Sequence, residues 1–200
     1  MRVFFVIIYL GDYIMRYIFI NHGYMGSNVE NWFPWFKEKI DDDNNKCIIP
    51  QYPIEKDKHF YDYWKETLNK YLDYINEDTI IIGHSSGCAF TIKYLIEKNI
   101  KINKLILVSG FNNYYSDDEN DFHNVVNKTF YVEDDKLNIV KSLCNEIICI
   151  YGDNDPYIPQ EVFNDLANKL DAKKVIIPNG GHLNLEAGFD KFDEVLKYIV

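Results

Sequence analysis

The sequence predicts a three-layer α/β protein, in which helices cover both faces of a mostly parallel sheet of six strands. Short apolar runs alternate with longer amphipathic segments along the chain, and this alternation is typical of parallel strands joined by right-handed helical crossovers. The chain has 200 residues, of which 47% are hydrophobic, and it contains no Pro/Gly/Ser-rich linker and no repeat. A chain of this length and composition can bury one core, so we expect residues 1–200 to form a single domain.

The six predicted strands are nearly continuous apolar runs, as expected for parallel strands that are covered on both faces. They are Tyr17–Asn21, Cys47–Pro50, Thr79–Gly83, Lys104–Ser109, Ile147–Gly152 and Lys174–Pro178. Between them, apolar residues at helical spacing predict amphipathic helices. Three such faces consist of Trp64, Leu68, Tyr71, Leu72 and Ile75, of Phe163, Leu166, Ala167 and Leu170, and of Phe192, Val195, Leu196 and Ile199.

The apolar run Val3–Leu10 does not belong to this alternation. It is too short to span a bilayer, which requires about 20 residues. It is either an additional strand, the apolar part of a signal peptide that lacks a small-residue cleavage site, or an extension ahead of a true start at Met15. We expect residues 1–14 to be an N-terminal appendage that the fold does not need.

Residues 110–143 also interrupt the alternation, because they carry the acidic runs Asp117–Glu119 and Glu133–Asp135. A solvated surface insertion is one interpretation of this segment. The other is a partial lid, since the segment follows the carboxyl end of a strand, where open α/β sheets bind their ligands.

Composition restricts the partners and the compartment. Lys and Arg number 21 against 31 Asp and Glu, which gives a formal charge of −10, and a negative surface repels nucleic acid.

The cysteines show no metal-binding spacing, so we expect reduced thiols in a cytoplasmic protein, with a secretory alternative left open by the N-terminal run. We also expect no metal and no cofactor, because no metal or nucleotide motif occurs. The cysteines are Cys47, Cys88, Cys144 and Cys149.

The most informative motif is G-x-S-x-G, which runs from Gly83 to Gly87 directly after a predicted strand and before a helical pattern. A serine nucleophile needs its hydroxyl raised clear of the sheet, and a tight strand-to-helix turn does this. Gly83 and Gly87 allow the strand and the helix to approach each other. The helix N-terminus beyond the turn offers N–H groups to developing negative charge. The motif therefore predicts Ser85 as a nucleophile.

A serine nucleophile requires a base, and the base requires an acid that orients it. His182 follows the sixth predicted strand, and Asp153 and Asp155 follow the fifth. The carboxyl ends of parallel strands meet at one edge of the sheet, so these side chains are expected close to Ser85. We predict His182 as the base. Asp155 is the favoured acid, because Pro156 fixes the backbone after it, while Asp153 remains open as the acid or as a turn-stabilising residue.

Backbone N–H groups of Ser86 and Tyr24 are the predicted oxyanion donors. Tyr24 lies in a loop after the first predicted strand, where Gly23 lets the backbone turn inward. His22 is expected to shape this loop and His84 to support the serine turn. The two histidines without a partner pattern, His59 and His123, are predicted at the surface.

Together the motifs HGYMGS, NWFPWFKEKI, GHSSG, GDNDPYIP and GGHLN resemble the small serine hydrolase family of retinoblastoma-binding protein nine and its bacterial relatives, in the α/β-hydrolase superfamily. The resemblance extends from about Tyr17 to Val200. It implies an α/β-hydrolase fold with a triad of Ser85, Asp155 and His182. The retinoblastoma-binding pattern Leu-x-Cys-x-Glu is absent around Cys144, so that partner is not implied.

These observations predict a serine hydrolase, carboxylesterase-like or aminopeptidase-like, that acts on a small-molecule acyl substrate. The expected substrates are small carboxylic esters, thioesters, or amino-acid amides and esters, cleaved through an acyl-enzyme. The alternative is a catalytically silent binding protein that keeps the hydrolase scaffold, since fold alone does not establish activity. The intact set of Ser85, Asp155, His182 and Gly23 counts against this alternative.

Overall fold

A computed structural model describes residues 15–116, 118 and 121–199. These residues form one sheet of six strands, β1 (Arg16–Asn21), β2 (Asn45–Ile48), β3 (Ile80–His84), β4 (Ile102–Val108), β5 (Cys144–Gly152) and β6 (Lys173–Ile177). The strand order is β2-β1-β3-β4-β5-β6, and every neighbouring pair is parallel. Each of the six predicted runs overlaps an observed strand, and the sheet is parallel throughout. The second strand begins and ends two residues earlier than the predicted run Cys47–Pro50. The hypotheses about residues 1–14 lie outside the described residues.

Helices connect the strands within the described part of the chain. They are α1 (Phe33–Ile40), α2 (Tyr61–Asn69), α3 (Ser86–Lys98), α4 (Phe122–Phe130), α5 (Leu137–Leu143), α6 (Gln160–Lys169) and α7 (Asp193–Leu196). The predicted helix through Ile75 is shorter, because the N–H groups of Lys70 and Tyr71 bond three residues back and tighten the end of α2. A 3₁₀ turn at Leu72–Tyr74 follows.

Alternating strand residues divide the core into two layers, one on each face of the sheet. Phe19, Ile81 and Leu105 are buried on one face, with the apolar residues of α2 to α6. Ile18 and Ile80 are buried on the other face, with α1, α7 and the residues around them. The three layers therefore follow from continuously apolar strands that have no solvent-facing side.

Residues 110–143 connect β4 to β5 and contain α4 and α5. Val126, Phe130 and Val140 are fully buried in the same layer as α3, whereas the acidic side chains Asp134 and Asp135 are exposed. The segment is thus a helical crossover with one buried apolar face. Its movement as a lid stays a prediction.

All four cysteines are free thiols, of which Cys144 is half-buried and the other three are buried. Burial raises the pKa of Cys47, Cys144 and Cys149 to about 12, so these thiols stay protonated near neutral pH. In the described ranges, no helix combines the length and the apolar composition that crossing a bilayer requires.

Candidate active site

Ser85 lies in the tight turn between β3 and α3, at the carboxyl edge of the sheet. Its φ of 56° and ψ of −131° are in the left-handed half of backbone space, which costs a non-glycine residue about 1–3 kcal/mol. Two backbone hydrogen bonds hold the turn: the Ser85 N–H donates to the Val108 carbonyl (2.9 Å), and the Cys88 N–H donates to the Ser85 carbonyl (3.0 Å). The turn therefore holds the Ser85 side chain at the wall of a cleft.

The glycine at the start of α3 is required by a close backbone approach. A Cβ at Gly87 would lie 2.3 Å from the carbonyl oxygen of Asn21 and 2.5 Å from that of His22. Gly83, on the other side of the turn, packs against Cys88. The G-x-S-x-G spacing therefore brings the end of β1, the turn and the start of α3 into contact.

Asp155 and His182 meet on neighbouring loops after β5 and β6. The His182 Nδ1–H donates to Asp155 Oδ2 (2.7 Å), and both side chains are buried, with 9% and 1% exposed. The other oxygen of Asp155 accepts the N–H groups of Tyr157 (2.9 Å) and Ile158 (3.1 Å). Because Nδ1 carries the proton that faces Asp155, Nε2 is the ring nitrogen available to accept another.

Asp153, the alternative acid, occupies a different position. Its carboxylate accepts the N–H of Asn179 (2.7 Å) and joins the turns after β5 and β6. Between the two aspartates that the sequence left open, the structure places Asp155 beside His182 and Asp153 in a turn-stabilising contact.

Residues at the ends of β3 and β4 hold the main chain of His182 in place. Its carbonyl oxygen accepts His84 Nε2–H (3.1 Å) and the Ser109 hydroxyl (3.0 Å). Burial lowers the pKa of His84 to about 3, so the ring is a neutral donor. Ser85 and His182 line the same cleft, and no hydrogen bond joins their side chains in the described structure. Such contacts commonly tighten only when substrate binds.

The loop after β1 passes directly beside the Ser85 side chain. A Cβ at Gly23 would lie 2.8 Å from Ser85 Cβ and 3.4 Å from its Oγ. His22 holds this loop: its Nδ1–H donates to the Gly23 carbonyl (2.8 Å), and its Nε2 accepts the Tyr52 N–H (3.0 Å). Burial lowers the pKa of His22 to about 4, which keeps the ring neutral. The Tyr24 N–H donates to the side-chain Oγ of Ser86 (2.8 Å).

The prediction that His59 is at the surface is wrong. His59 is fully buried, because the ring of Tyr24 packs against it with centroids 4.6 Å apart and Trp64 lies beside it. Burial lowers its pKa. His123 is exposed, as expected. Its ring also packs against Tyr24, with the ring centroids 4.1 Å apart, and its Nδ1 lies 2.6 Å from Asp121 Oδ1.

The cleft around Ser85 has a volume of about 1000 Å³. Its walls include side chains from the loops after β5 and β6, which carry the predicted acid and base, and from residues 110–143, where no sequence motif singled out a site residue. The aromatic side chains are Tyr24, Phe111, Tyr114 and Tyr157, and the carboxylates are Glu30, Asp121 and Glu186. No Lys or Arg is among the described lining residues. The described residues also hold no cluster of His, Cys, Asp or Glu suited to a metal ion.

Comparison with known proteins decides the family. The sequence profile described as Serine hydrolase matches residues 18–200. The chain belongs to this serine hydrolase family. It is 27% identical over 176 residues to YdeN of Bacillus subtilis, which is named as a hydrolase, across 87% of this chain and 89% of YdeN. It is also 31% identical over 107 residues to the serine hydrolase RBBP9 of Rattus norvegicus, across 54% of each chain.

Solved structures of the superfamily share the fold of this serine hydrolase. The crystal structure of the ydeN gene product from B. subtilis has a TM-score of 0.79 at 24% identity, with coverage of 92% of this chain and 98% of that one. Est1E from Butyrivibrio proteoclasticus has a TM-score of 0.65 at 17% identity, with coverage of 93% and 85%. The predicted α/β-hydrolase fold and the resemblance to the small serine hydrolases are therefore confirmed.

Proposed function

We propose that this family member hydrolyses small carboxylic esters, thioesters, or amino-acid amides and esters through an acyl-enzyme. Ser85 is the nucleophile, His182 the general base and Asp155 the acid that orients it. The observation that carries the proposal is the 2.7 Å hydrogen bond between His182 and Asp155 at the cleft that also holds Ser85 in a strained turn.

The proposed reaction has two matched halves. Ser85 Oγ forms a bond to the substrate carbonyl carbon, its proton moves to His182 Nε2, and the carbonyl π pair moves onto the oxygen. When this pair returns, the bond to the leaving group breaks and His182 gives it the proton. Water then attacks the acyl-enzyme by the same route and releases the acid. Asp155 keeps its charge and stabilises the imidazolium that forms in each half.

The cleft lining favours neutral or amine-bearing apolar acyl groups. Four aromatic rings supply apolar surface, and the lining residues Met25 and Leu185 expose further apolar side-chain surface. Three carboxylates line the cleft with no described Lys or Arg to neutralise them, so a carboxylate on the substrate is repelled.

Hydrolysis of a series of p-nitrophenyl esters with increasing acyl length tests the proposal. We expect turnover by the wild type and a loss of about 10⁴-fold or more in kcat for Ser85→Ala and for His182→Ala. Ser142→Ala, which removes an exposed serine hydroxyl from α5, is the matched control and is expected to leave turnover unchanged. Equal turnover by wild type and Ser85→Ala would contradict the proposal.

A catalytically silent binding protein is the second candidate. The observation that favours it is the absence of a hydrogen bond between the side chains of Ser85 and His182 in the described structure. This candidate predicts no ester turnover at any acyl length and no reaction with a fluorophosphonate, which modifies only an activated serine.

A further inference from the structure

The second serine of the G-x-S-x-G turn is buried beside the nucleophile and is in contact with the loop after β1. Ser86 is 1% exposed, begins α3 and lines the cleft. Its Oγ accepts the N–H of Tyr24 at 2.8 Å. A serine hydroxyl also carries one proton to donate, and no described residue accepts it. The hydroxyl therefore has an unused donor at the cleft.

This contact changes which group is available to an oxyanion. The Tyr24 N–H, expected from the sequence to face the substrate, is already donated to Ser86 Oγ. The backbone N–H of Ser86 lies in the first turn of α3, where N–H groups have no acceptor within the helix. The loop is held in place, since Gly23 passes within contact distance of Ser85 and His22 fixes the Gly23 carbonyl.

We propose that the Ser86 side-chain hydroxyl is a donor of the oxyanion hole, alongside the Ser86 backbone N–H, and that Tyr24 acts through it. The inference rests on the proposed function. As the Ser85 Oγ bond to carbon forms and the π pair moves onto the carbonyl oxygen, the Ser86 O–H donates to that oxygen while its proton stays on Ser86. The hydrogen bond that Ser86 accepts from Tyr24 polarises the hydroxyl and strengthens its donation.

Kinetics of Ser86→Ala and Ser86→Thr on a p-nitrophenyl ester test this role. Removing an oxyanion donor lowers kcat by about 10²–10³-fold, so we expect that loss in Ser86→Ala with KM within about threefold of wild type. Ser86→Thr keeps the hydroxyl and is expected to restore most of kcat. A boronic acid, which forms a tetrahedral adduct with a serine nucleophile, is expected to bind Ser86→Ala weaker by a similar factor.

Opposite results would assign the donor to Tyr24. If Ser86→Ala keeps or raises kcat, or binds the boronic acid as tightly as wild type, the freed Tyr24 N–H serves the oxyanion itself and the inference is wrong. A change in KM with unchanged kcat would also overturn it. Ser86→Cys, which keeps the volume but has only a weak donor, extends the test if the alanine variant does not fold, and it is expected to lose kcat as well.

The same experiment separates this inference from the proposed function. Wild type without ester turnover would overturn both. Wild type with turnover that depends on Ser85 but not on the Ser86 hydroxyl would overturn the present inference and leave the proposed function standing. Ser142→Ala is again the matched control, because it removes a serine hydroxyl from a helix outside the cleft.

Discussion

Two buried neutral histidines beneath the site predict that acid destabilises this protein. Burial is the main cause that lowers the pKa of His84 to about 3 and of His22 to about 4, from an ordinary value near 6.5. Unfolding restores the ordinary pKa, so the unfolded chain binds more protons over this range. The full stability is present above about pH 6.5 and is lost as the pH falls towards the folded-state values.

The magnitude follows from the size of these shifts. Between about pH 6.5 and pH 4.5 the unfolded imidazole becomes protonated while the buried one stays neutral, and these two pH units correspond to roughly 2–3 kcal/mol per histidine. His84 and His22 together therefore lower the free energy of unfolding by about 5 kcal/mol between about pH 7 and pH 4.5. That loss is a large fraction of the stability of a typical domain.

His84→Gln isolates one of the two contributions. Glutamine keeps an N–H donor for the His182 carbonyl but does not titrate, so about half of the acid-induced loss is expected to disappear. The assay is urea unfolding at both pH values, followed by tryptophan fluorescence, since Trp32 and Trp64 are fully buried. Ser109→Ala is the matched control, because it removes the other hydrogen bond to the same carbonyl without removing a titrating group, and it should lower stability equally at both pH values.

Equal losses of stability on acidification in His84→Gln and in the wild type would contradict a role for the buried His84 imidazole. A reduction of the acid-induced loss in Ser109→Ala as large as in His84→Gln would contradict it as well, because the effect would then come from the hydrogen bond rather than from the buried titratable ring.

Three further predictions concern the cleft. Gly23→Ala adds a Cβ 2.8 Å from Ser85 Cβ and 3.2 Å from the His84 carbonyl oxygen, so we expect at least about a 10²-fold loss of kcat/KM and a lower urea midpoint. Unchanged activity would show that the loop is free to shift. Asp155→Asn leaves the hydrogen-bond geometry but alters the tautomer of His182, and kcat is expected to fall by about 10⁴-fold, against a small effect for Asp153→Asn. The kcat/KM for p-nitrophenyl hemisuccinate is expected to be about tenfold lower than for the butyrate, because the carboxylates of the cleft repel the charged acyl group. Glu30→Gln removes one of these carboxylates and is expected to reduce the difference in kcat/KM.

The fold was predictable because its signal is local. Each strand, such as Ile80–His84, is an apolar run that needs cover on both faces, and the alternation with helices fixes a parallel sheet. The position of Ser85 was predictable for the same reason. The turn that presents it requires glycines at positions 83 and 87, and this requirement is visible as a motif of five consecutive residues. The order of Asp155 and His182 after successive strands placed them at the same sheet edge.

The remaining features depend on contacts between distant segments. His59 is buried because it packs against Tyr24 and Trp64, and this contact cannot be predicted from the spacing of residues in the sequence. The hydrogen bond from Tyr24 to Ser86 joins residues 62 positions apart, and its consequence for the oxyanion donors depends on a distance that the motif does not encode. The walls formed by Tyr114 and Asp121 come from a segment that the sequence left open between a solvated surface insertion and a partial lid, and no motif in it marked the residues that reach the cleft.

The most direct test of the account is peptide mapping after reaction with a fluorophosphonate. We predict a single covalent adduct on Ser85 in the wild type and little or none in His182→Ala under the same conditions, because the proposed function assigns the activation of this hydroxyl to the imidazole of His182. An adduct on Ser86 or on another residue, or equal labelling of Ser85 without His182, would contradict the assignment of the nucleophile and its base.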